Sequence, residues 1–428
     1  MPRVCGTTKA NSWYVALPDK CPLLAANGDL RVSYPFALAQ TLAANILYRL
    51  TIRDVANKLR AGKCTGPRSL QLFLGRSSLL AGVCACLEKG PHQRTGPVED
   101  HRMELRRDPI TQSWVVLGHR DVSGESAADC PFEPAAVDKQ RAILTWPAEG
   151  PWQIRVIPHP EPLYRIEGEV GRLAEGMYDK MGPVGAHEVV VETPQHDKRL
   201  SQLSDEVIER VLWAWASRIA DLKKDTRFKY VAVFKNQGTL AGEEWPHAHS
   251  EVAATIFVPR RVKYELHAAS EWYGERERCV FCDIVRQEEK QGKRIVDVQG
   301  DYYALCPYAS RVPYETWLVH RRHNHVFEQP RPGANRRQLA ALLGRVLRRF
   351  EKFAPAFHLV VHTAPNTRSR KGALAGYWKT LADDFHWHIE ILPIVESRSK
   401  SYSIKEVYFN AVLPEDAAAY LRSLDPNA

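Results

Sequence analysis

The residue pattern of this 428-residue chain predicts an α+β fold of two tandem half-domains, each an antiparallel sheet with packed helices, produced by internal duplication. Two stretches carry the prediction. Trp245-Pro-His-Ala-His-Ser-Glu251 runs into Val-Ala-Ala-Thr-Ile-Phe-Val-Pro259, and Phe385-His-Trp-His-Ile-Glu390 runs into Ile-Leu-Pro393. Each alternates His, His and Glu and passes into a β-branched, aromatic run that ends in proline, as a strand does. On a strand, residues i, i+2 and i+4 share a face, so His247, His249 and Glu251 are expected to line up.

The order of other features repeats as well. Cys130-Pro-Phe-Glu133 is mirrored by Cys279-Val-Phe-Cys282, and residues 187–196, ending in His196, by residues 314–323, ending in His323. Strands are predicted at Trp114–Leu117, Trp152–Pro158, Glu188–Glu192 and Tyr230–Lys235. Ser204 caps a helix through Leu222, with Val207, Val211, Leu212, Trp215 and Ile219 as its apolar face. A helix over Arg337–Phe353 and a strand over His358–Thr363 repeat that pair in the second half. The expected half-domains are residues 103–268 and 269–428.

The net charge of +9 invites a nucleic-acid reading, but its location argues against one. Residues 1–102 hold 14 Lys+Arg and 6 Asp+Glu, a net of +8, so the remaining 326 residues carry only +1. These first 102 residues differ in composition from the rest of the chain, and Met103 opens a clean domain start. They read as translation from an upstream start, as an appended domain, or as a targeting segment. Their apolar run from Leu70 to Leu87 is interrupted by Arg76 and is too short for a membrane span. No early basic, apolar and small-residue pattern marks a secretory signal. The expectation is a cytoplasmic protein whose nine cysteines are reduced thiols or metal ligands.

Cys279-x-x-Cys282 by itself fits either metal binding or two packed cysteines. The duplication adds His323 and His386, with His320 as an alternative to His323, and Cys₂His₂ is a closed zinc set. The first-half counterpart is Cys130, Glu133, His196 and His247, in which one thiolate has become a carboxylate; it reads either as a weakened zinc set or as a capping Glu133 beside a buried Cys130. His249 stays open at this point between an ordinary core histidine and a nucleophile. A neutral imidazole attacks phosphorus well when its other nitrogen is held by an acceptor. The glycine-containing turn over residues 236–242 could bring backbone N–H groups near phosphate oxygens.

Asp-Pro-Ile-Thr-Gln-Ser-Trp-Val-Val, Cys-Pro-Phe, Phe-Lys-Asn-Gln-Gly, His-Ala-His-Ser and Phe-His-Trp-His-Ile-Glu-Ile-Leu-Pro together resemble the galactose-1-phosphate uridylyltransferase family of the histidine-triad superfamily. The resemblance spans about residues 103–428 and implies two histidine-triad-like folds, bound Zn²⁺ and a homodimer. It implies ping-pong transfer of UMP between UDP-glucose and galactose 1-phosphate, with His249 as nucleophile and a nucleotidyl-histidine intermediate. Arg120, Asn236 and Gly242 would contact the nucleotide or its phosphates. Neither nucleic acid nor membrane is expected as a partner. Glu251 stands where the family has a phosphate-donating glutamine, and Glu244 where it has a serine. At about 4 Å and an effective dielectric near 20, an ionised Glu251 would repel a phosphate charge by about 4 kcal/mol, roughly three decades in rate. Glu251 is therefore expected to act either as a neutral acid or as a base toward the intermediate. A phosphorylase or hydrolase of another nucleoside diphosphate compound, or a non-catalytic nucleotide- and zinc-binding relative, are the alternatives.

Overall fold

The computed structural model describes residues 103–118, 130–330, 332–368, 379–395 and 407–427. The extension over residues 1–102 and Arg120 lie outside the described residues.

The first half runs β1 (Glu104–Arg107), β2 (Trp114–Leu117), α1 (Pro134–Val137), β3 (Leu144–Trp146), β4 (Ile154–Pro158), β5 (Leu173–Glu175), β6 (Tyr178–Met181), β7 (Gly185–Val191), α2 (Asp205–Leu222), β8 (Tyr230–Gln237) and β9 (His249–Thr255). α3 (Arg260–Arg276) follows, and the second half opens with α4 (Val280–Gln291); the sequence reading contains neither helix. The second half adds β10 (Ile295–Gln299), β11 (Tyr302–Leu305), β12 (Thr316–His320), α5 (Arg336–Glu351), β13 (Phe357–His362), α6 (Leu381–Asp384), β14 (His388–Pro393) and α7 (Pro414–Ser423).

Ten strands form one antiparallel sheet in the order β10-β11-β12-β14-β13-β8-β9-β7-β4-β3. Read from its two edges inward, each half contributes five strands in the same spatial sequence. The halves join where β8 meets β13, from Phe357 opposite Gln237 to Val361 opposite Val233. The duplication expected from the motifs is thus visible as symmetry of strand order. Its one-to-one sequence alignment slips by one residue, however. Val191 lies opposite His249 and Val319 opposite His388, so the sheet matches Val191 with Val319, whereas the ligand pattern matches His196 with His323. The smaller sheet, β2-β1-β6-β5, lies outside this symmetry.

Helices α2 and α5 cover one face of the large sheet. Ser204 caps α2 by accepting from the Val207 N–H, and Asp205 and Glu206 occupy its first turn, where carboxylates favour the helix N-terminus. Its buried stripe is Ile208, Val211, Leu212, Trp215 and Ile219, while Val207 is only half-buried. Asn335 caps α5, which buries Leu339, Leu342, Leu343, Val346, Leu347 and Phe350. The two helices touch at Gly344, where an added Cβ would come within 3.1 Å of Ile208 Cδ1. Arg218 on α2 grips Glu188 on β7 in a bidentate pair at 2.6 and 2.8 Å. Trp215 is fully buried and its indole N–H donates to Ser250 Oγ at 2.7 Å. Side-chain alternation along β9 therefore sends Ser250, Val252 and Ala254 toward the helices, and His249 and Glu251 toward the opposite face.

Candidate active site and metal centres

That opposite face carries the chemistry. Strand β9 begins at His249, so His247 precedes it and does not share a face with His249 and Glu251 as expected. Its imidazole turns instead to Cys130, Glu133 and His196, whose donor atoms come together with it. His247 Nε2–H donates to the Thr193 carbonyl at 2.7 Å, which leaves the Nδ1 lone pair directed at Glu133 Oε1, 3.7 Å away, and Cys130 Sγ, 3.9 Å away. His196 Nδ1 and Glu133 Oε1 lie 2.7 Å apart, yet both are buried atoms without a hydrogen-bond partner among the described residues. A shared cation satisfies both, so this donor set fits a metal ion.

The second set is built the same way. Cys279 is the N-cap residue of α4 and Cys282 sits in its first turn, whereas in the first half Glu133 is the N-cap residue of α1 and Cys130 precedes it. His323 Nε2–H donates to the Ala382 carbonyl at 2.8 Å and points Nδ1 at Cys282 Sγ, 3.5 Å away. His386 Nδ1 reaches the same sulfur at 3.5 Å. Hydrogen bonding from Cys279, opposed by burial and aided by His323 and His386, pulls the Cys282 thiol down to about 3. Cys279, Cys282, His323 and His386 thus converge as a thiolate-bearing donor set. His320 is not part of it: its Nδ1 meets the backbone of Arg322.

His249 is buried between Phe132 and Trp245, with ring centroids 4.9 and 6.2 Å away. Its Nδ1–H donates to the His247 carbonyl at 2.7 Å, so the lone pair resides on Nε2. Burial, reinforced by the Lys235 ammonium, pushes His249 down to about 3 and keeps it neutral. Lys235 itself donates to the His249 carbonyl at 2.7 Å and to Glu192 Oε2 at 3.0 Å. The β8–β9 ladder ends at Phe234 opposite Glu251, and beyond that point the ammonium takes up the carbonyl that the ladder leaves. Asn236 Oδ1 accepts from His358 Nδ1 at 2.8 Å, which orients the amide and commits its oxygen. The turn after β8 needs glycine. Gly238 has φ 85° and an added Cβ would meet Ala356 Cβ at 2.8 Å, and Gly242 is left-handed at φ 74°. Glu243, the neighbour of Glu244, closes this turn by accepting from the Gly238 N–H at 2.9 Å.

Glu251 reaches across to β7, where His187 Nε2 lies 2.7 Å from its Oε2. His159, stacked on His187 at 4.1 Å, brings its Nε2 to 3.8 Å from the same oxygen and 3.9 Å from Glu244 Oε2. Sequence reasoning missed both histidines as site residues, since nothing local marks them. It also missed the second-half counterpart. There His362 lies between Glu265 at 2.8 Å and Glu390 at 3.3 Å, and stacks on His388 at 4.6 Å. Burial alone would lower His362, but the two carboxylates raise it to about 10. Arg311 adds a second cation to Glu390 at 2.6 Å. His388 copies the hydrogen bond of His249, donating Nδ1–H to the His386 carbonyl at 3.1 Å.

The fold and site define a class: a duplicated α+β enzyme scaffold with two metal-type donor sets and a tautomer-locked histidine in each half. A family model, galactose-1-phosphate uridyl transferase, N-terminal domain, matches residues 167–259. An ADP-glucose phosphorylase of Arabidopsis thaliana is 26% identical over 349 residues, covering 76% of this chain and 94% of its own. A galactose-1-phosphate uridylyltransferase of Thermotoga maritima is 26% identical over 339 residues, covering 76% and 99%. Among solved structures, a uridylyltransferase matches with a TM-score of 0.63 at 26% identity, covering 75% of this chain and 97% of that one. An Arabidopsis thaliana ADP-glucose phosphorylase with bound ADP-glucose matches with a TM-score of 0.58 at 25% identity, covering 76% and 99%. By sequence and fold the chain is similar to members of the galactose-1-phosphate uridylyltransferase family, whose named uridylyltransferases are transferase enzymes.

Proposed function

We propose that the chain transfers a nucleoside monophosphate from a nucleoside diphosphate sugar to a phosphate-bearing acceptor through a nucleotidyl-histidine at His249. The observation that carries this reading is the hydrogen bond from His249 Nδ1–H to the His247 carbonyl at 2.7 Å. It leaves the Nε2 lone pair for the α-phosphorus and disperses the positive charge that grows on the ring when the N–P bond forms. Sugar 1-phosphate leaves, and an acceptor phosphate oxygen then displaces the histidine. The Asn236 amide N–H₂, with its oxygen held by His358, is a donor for phosphate oxygens. Gly242, whose added Cβ would meet nothing within 4 Å, and Arg120 are the other proposed contacts. UDP-glucose with galactose 1-phosphate, and ADP-glucose with inorganic phosphate, are the substrate pairs that the relatives' names support.

Both donor sets suit zinc: two sulfurs and two imidazoles in the second half, and one sulfur, one carboxylate and two imidazoles in the first. Zinc held there is structural, because four protein ligands leave no open position. In the first half, the His247 ligand fixes the peptide whose carbonyl orients His249.

Incubation with α-labelled UDP-glucose or ADP-glucose should give acid-labile, protein-bound nucleotide. His249→Ala should abolish the label and His388→Ala should retain it, because His388 is packed against His362 beside Glu390. Label surviving in His249→Ala would refute the mechanism.

A further inference from the structure

We propose that Glu251 is a general base that directs water onto nucleotidyl-His249, so that the chain also hydrolyses nucleoside diphosphate sugars to nucleoside monophosphate and sugar 1-phosphate. This inference rests on the nucleotidyl-His249 reading above. Its basis is the proton inventory around Glu251. His187 Nδ1 accepts from the Leu163 backbone N–H at 3.1 Å, and His159 Nδ1 accepts from the Glu161 backbone N–H at 3.0 Å. A backbone N–H can only donate, so each Nδ1 holds a lone pair and each ring keeps its proton on Nε2. Both Nε2–H groups face Glu251 Oε2, at 2.7 and 3.8 Å.

The trio of His159, His187 and Glu251 brings three ligand-type atoms together but is wrong for a metal, since both imidazole nitrogens aimed inward carry protons. The His187 proton makes a hydrogen bond to the carboxylate, which favours its charged form, and the His159 N–H stands behind it at 3.8 Å. The second half is built otherwise. There Glu390 is tied to the cations His362 and Arg311, which use up its basicity. Among the described residues, Glu251 is aimed by His187 and His159, on the same strand face as His249 and two residues along from it. The side chain of Trp245 lies against both His249 and His159, with centroids 6.2 and 5.7 Å away, so this histidine pair and the nucleophile line one site.

A phosphate acceptor brings its own anionic oxygen and needs no base, whereas water must lose a proton as it attacks. In the proposed step a water oxygen bonds to the α-phosphorus while its proton passes to the Glu251 carboxylate. The P–Nε2 bond breaks, its electron pair returns to His249 as the neutral lone pair, and Glu251 later yields the proton to solvent.

The test uses the full chain and a nucleoside diphosphate sugar in heavy-oxygen water, with and without inorganic phosphate. Wild type should release nucleoside monophosphate carrying one solvent oxygen, and sugar 1-phosphate carrying none. Glu251→Gln should still form the nucleotidyl-enzyme but lose it to water about a hundredfold more slowly. Its breakdown by inorganic phosphate should not fall, because the neutral amide removes the carboxylate's repulsion of the attacking anion. His187→Phe should show the same selective loss of hydrolysis, and His187→Gln, which restores an N–H donor, should recover it. Unlabelled nucleoside monophosphate, or equal breakdown in water by wild type and Glu251→Gln, would overturn the proposal while leaving nucleotidyl transfer standing. If no nucleotidyl-enzyme forms in wild type, the transfer reading fails and this proposal with it.

Discussion

Replacing Lys235 with methionine tests how the nucleophile's backbone is held. Lys235 and Glu192 form an ion pair with both side chains fully buried, 0% exposed, at 3.0 Å. The other carboxylate oxygen of Glu192 has no hydrogen-bond partner among the described residues, so losing the ammonium strands the whole charge. Removing one partner of a buried pair costs about 3–5 kcal/mol, and Lys235→Met should lower unfolding stability by that amount. Lys235→Met with Glu192→Leu removes the stranded charge as well and should recover most of the loss, giving a coupling energy of about 2 kcal/mol or more. Activity should separate from stability. The His249 carbonyl has no ammonium in either variant, so nucleotidyl-enzyme formation should stay slow in the refolded double variant. Urea unfolding gives the first quantity and single-turnover labelling the second. A single variant destabilised by under about 1 kcal/mol would refute the buried-pair argument. A double variant as active as wild type would refute the positioning role.

Cys282→Ser should reduce bound zinc by about one equivalent in elemental analysis and lower stability, because metal binding to such a set contributes directly to folding. Unchanged zinc would exclude this set as a site. His362 should impose a pH dependence on stability. Its folded value is raised to about 10 from an ordinary value near 6.5. The contribution is therefore complete below about 6.5 and lost as pH rises toward 10. Urea midpoints measured across that window should fall in wild type and be flatter in His362→Gln. Equal slopes would mean that His362 is not the cation between Glu265 and Glu390.

Local pattern carried much of this protein. The Ser204 cap and the 3.6-residue apolar period mark α2 to its last residue, and β-branched runs ended by proline place β9 and β14 within a few positions. The two Cys/His donor sets were legible because duplication displays the same ligands twice, so that each half acts as a reference for the other. Helices α3 and α4 were not legible: α3 is rich in charge and buries only Val262, Leu266 and Ala269, too narrow a stripe to stand out.

What the sequence determined by itself is therefore the class of fold and the residues that make up the two Cys/Glu/His clusters, whereas His249 as candidate nucleophile rests on the family resemblance. The fold class and the clusters depend on neighbours within one element or on repetition along the chain. Only the tertiary structure decided that the two half-sheets fuse edge to edge through β8 and β13, since strand pairing is chosen by backbone edges that no local period records. It also decided the surroundings of the two glutamates. Glu251 meets His187 from 64 residues away, whereas Glu390 meets Arg311 from 79. Both sit two residues after a histidine in nearly identical motifs, and the partners that make one a histidine-bonded carboxylate and the other half of a salt bridge arrive only when distant strands pack together.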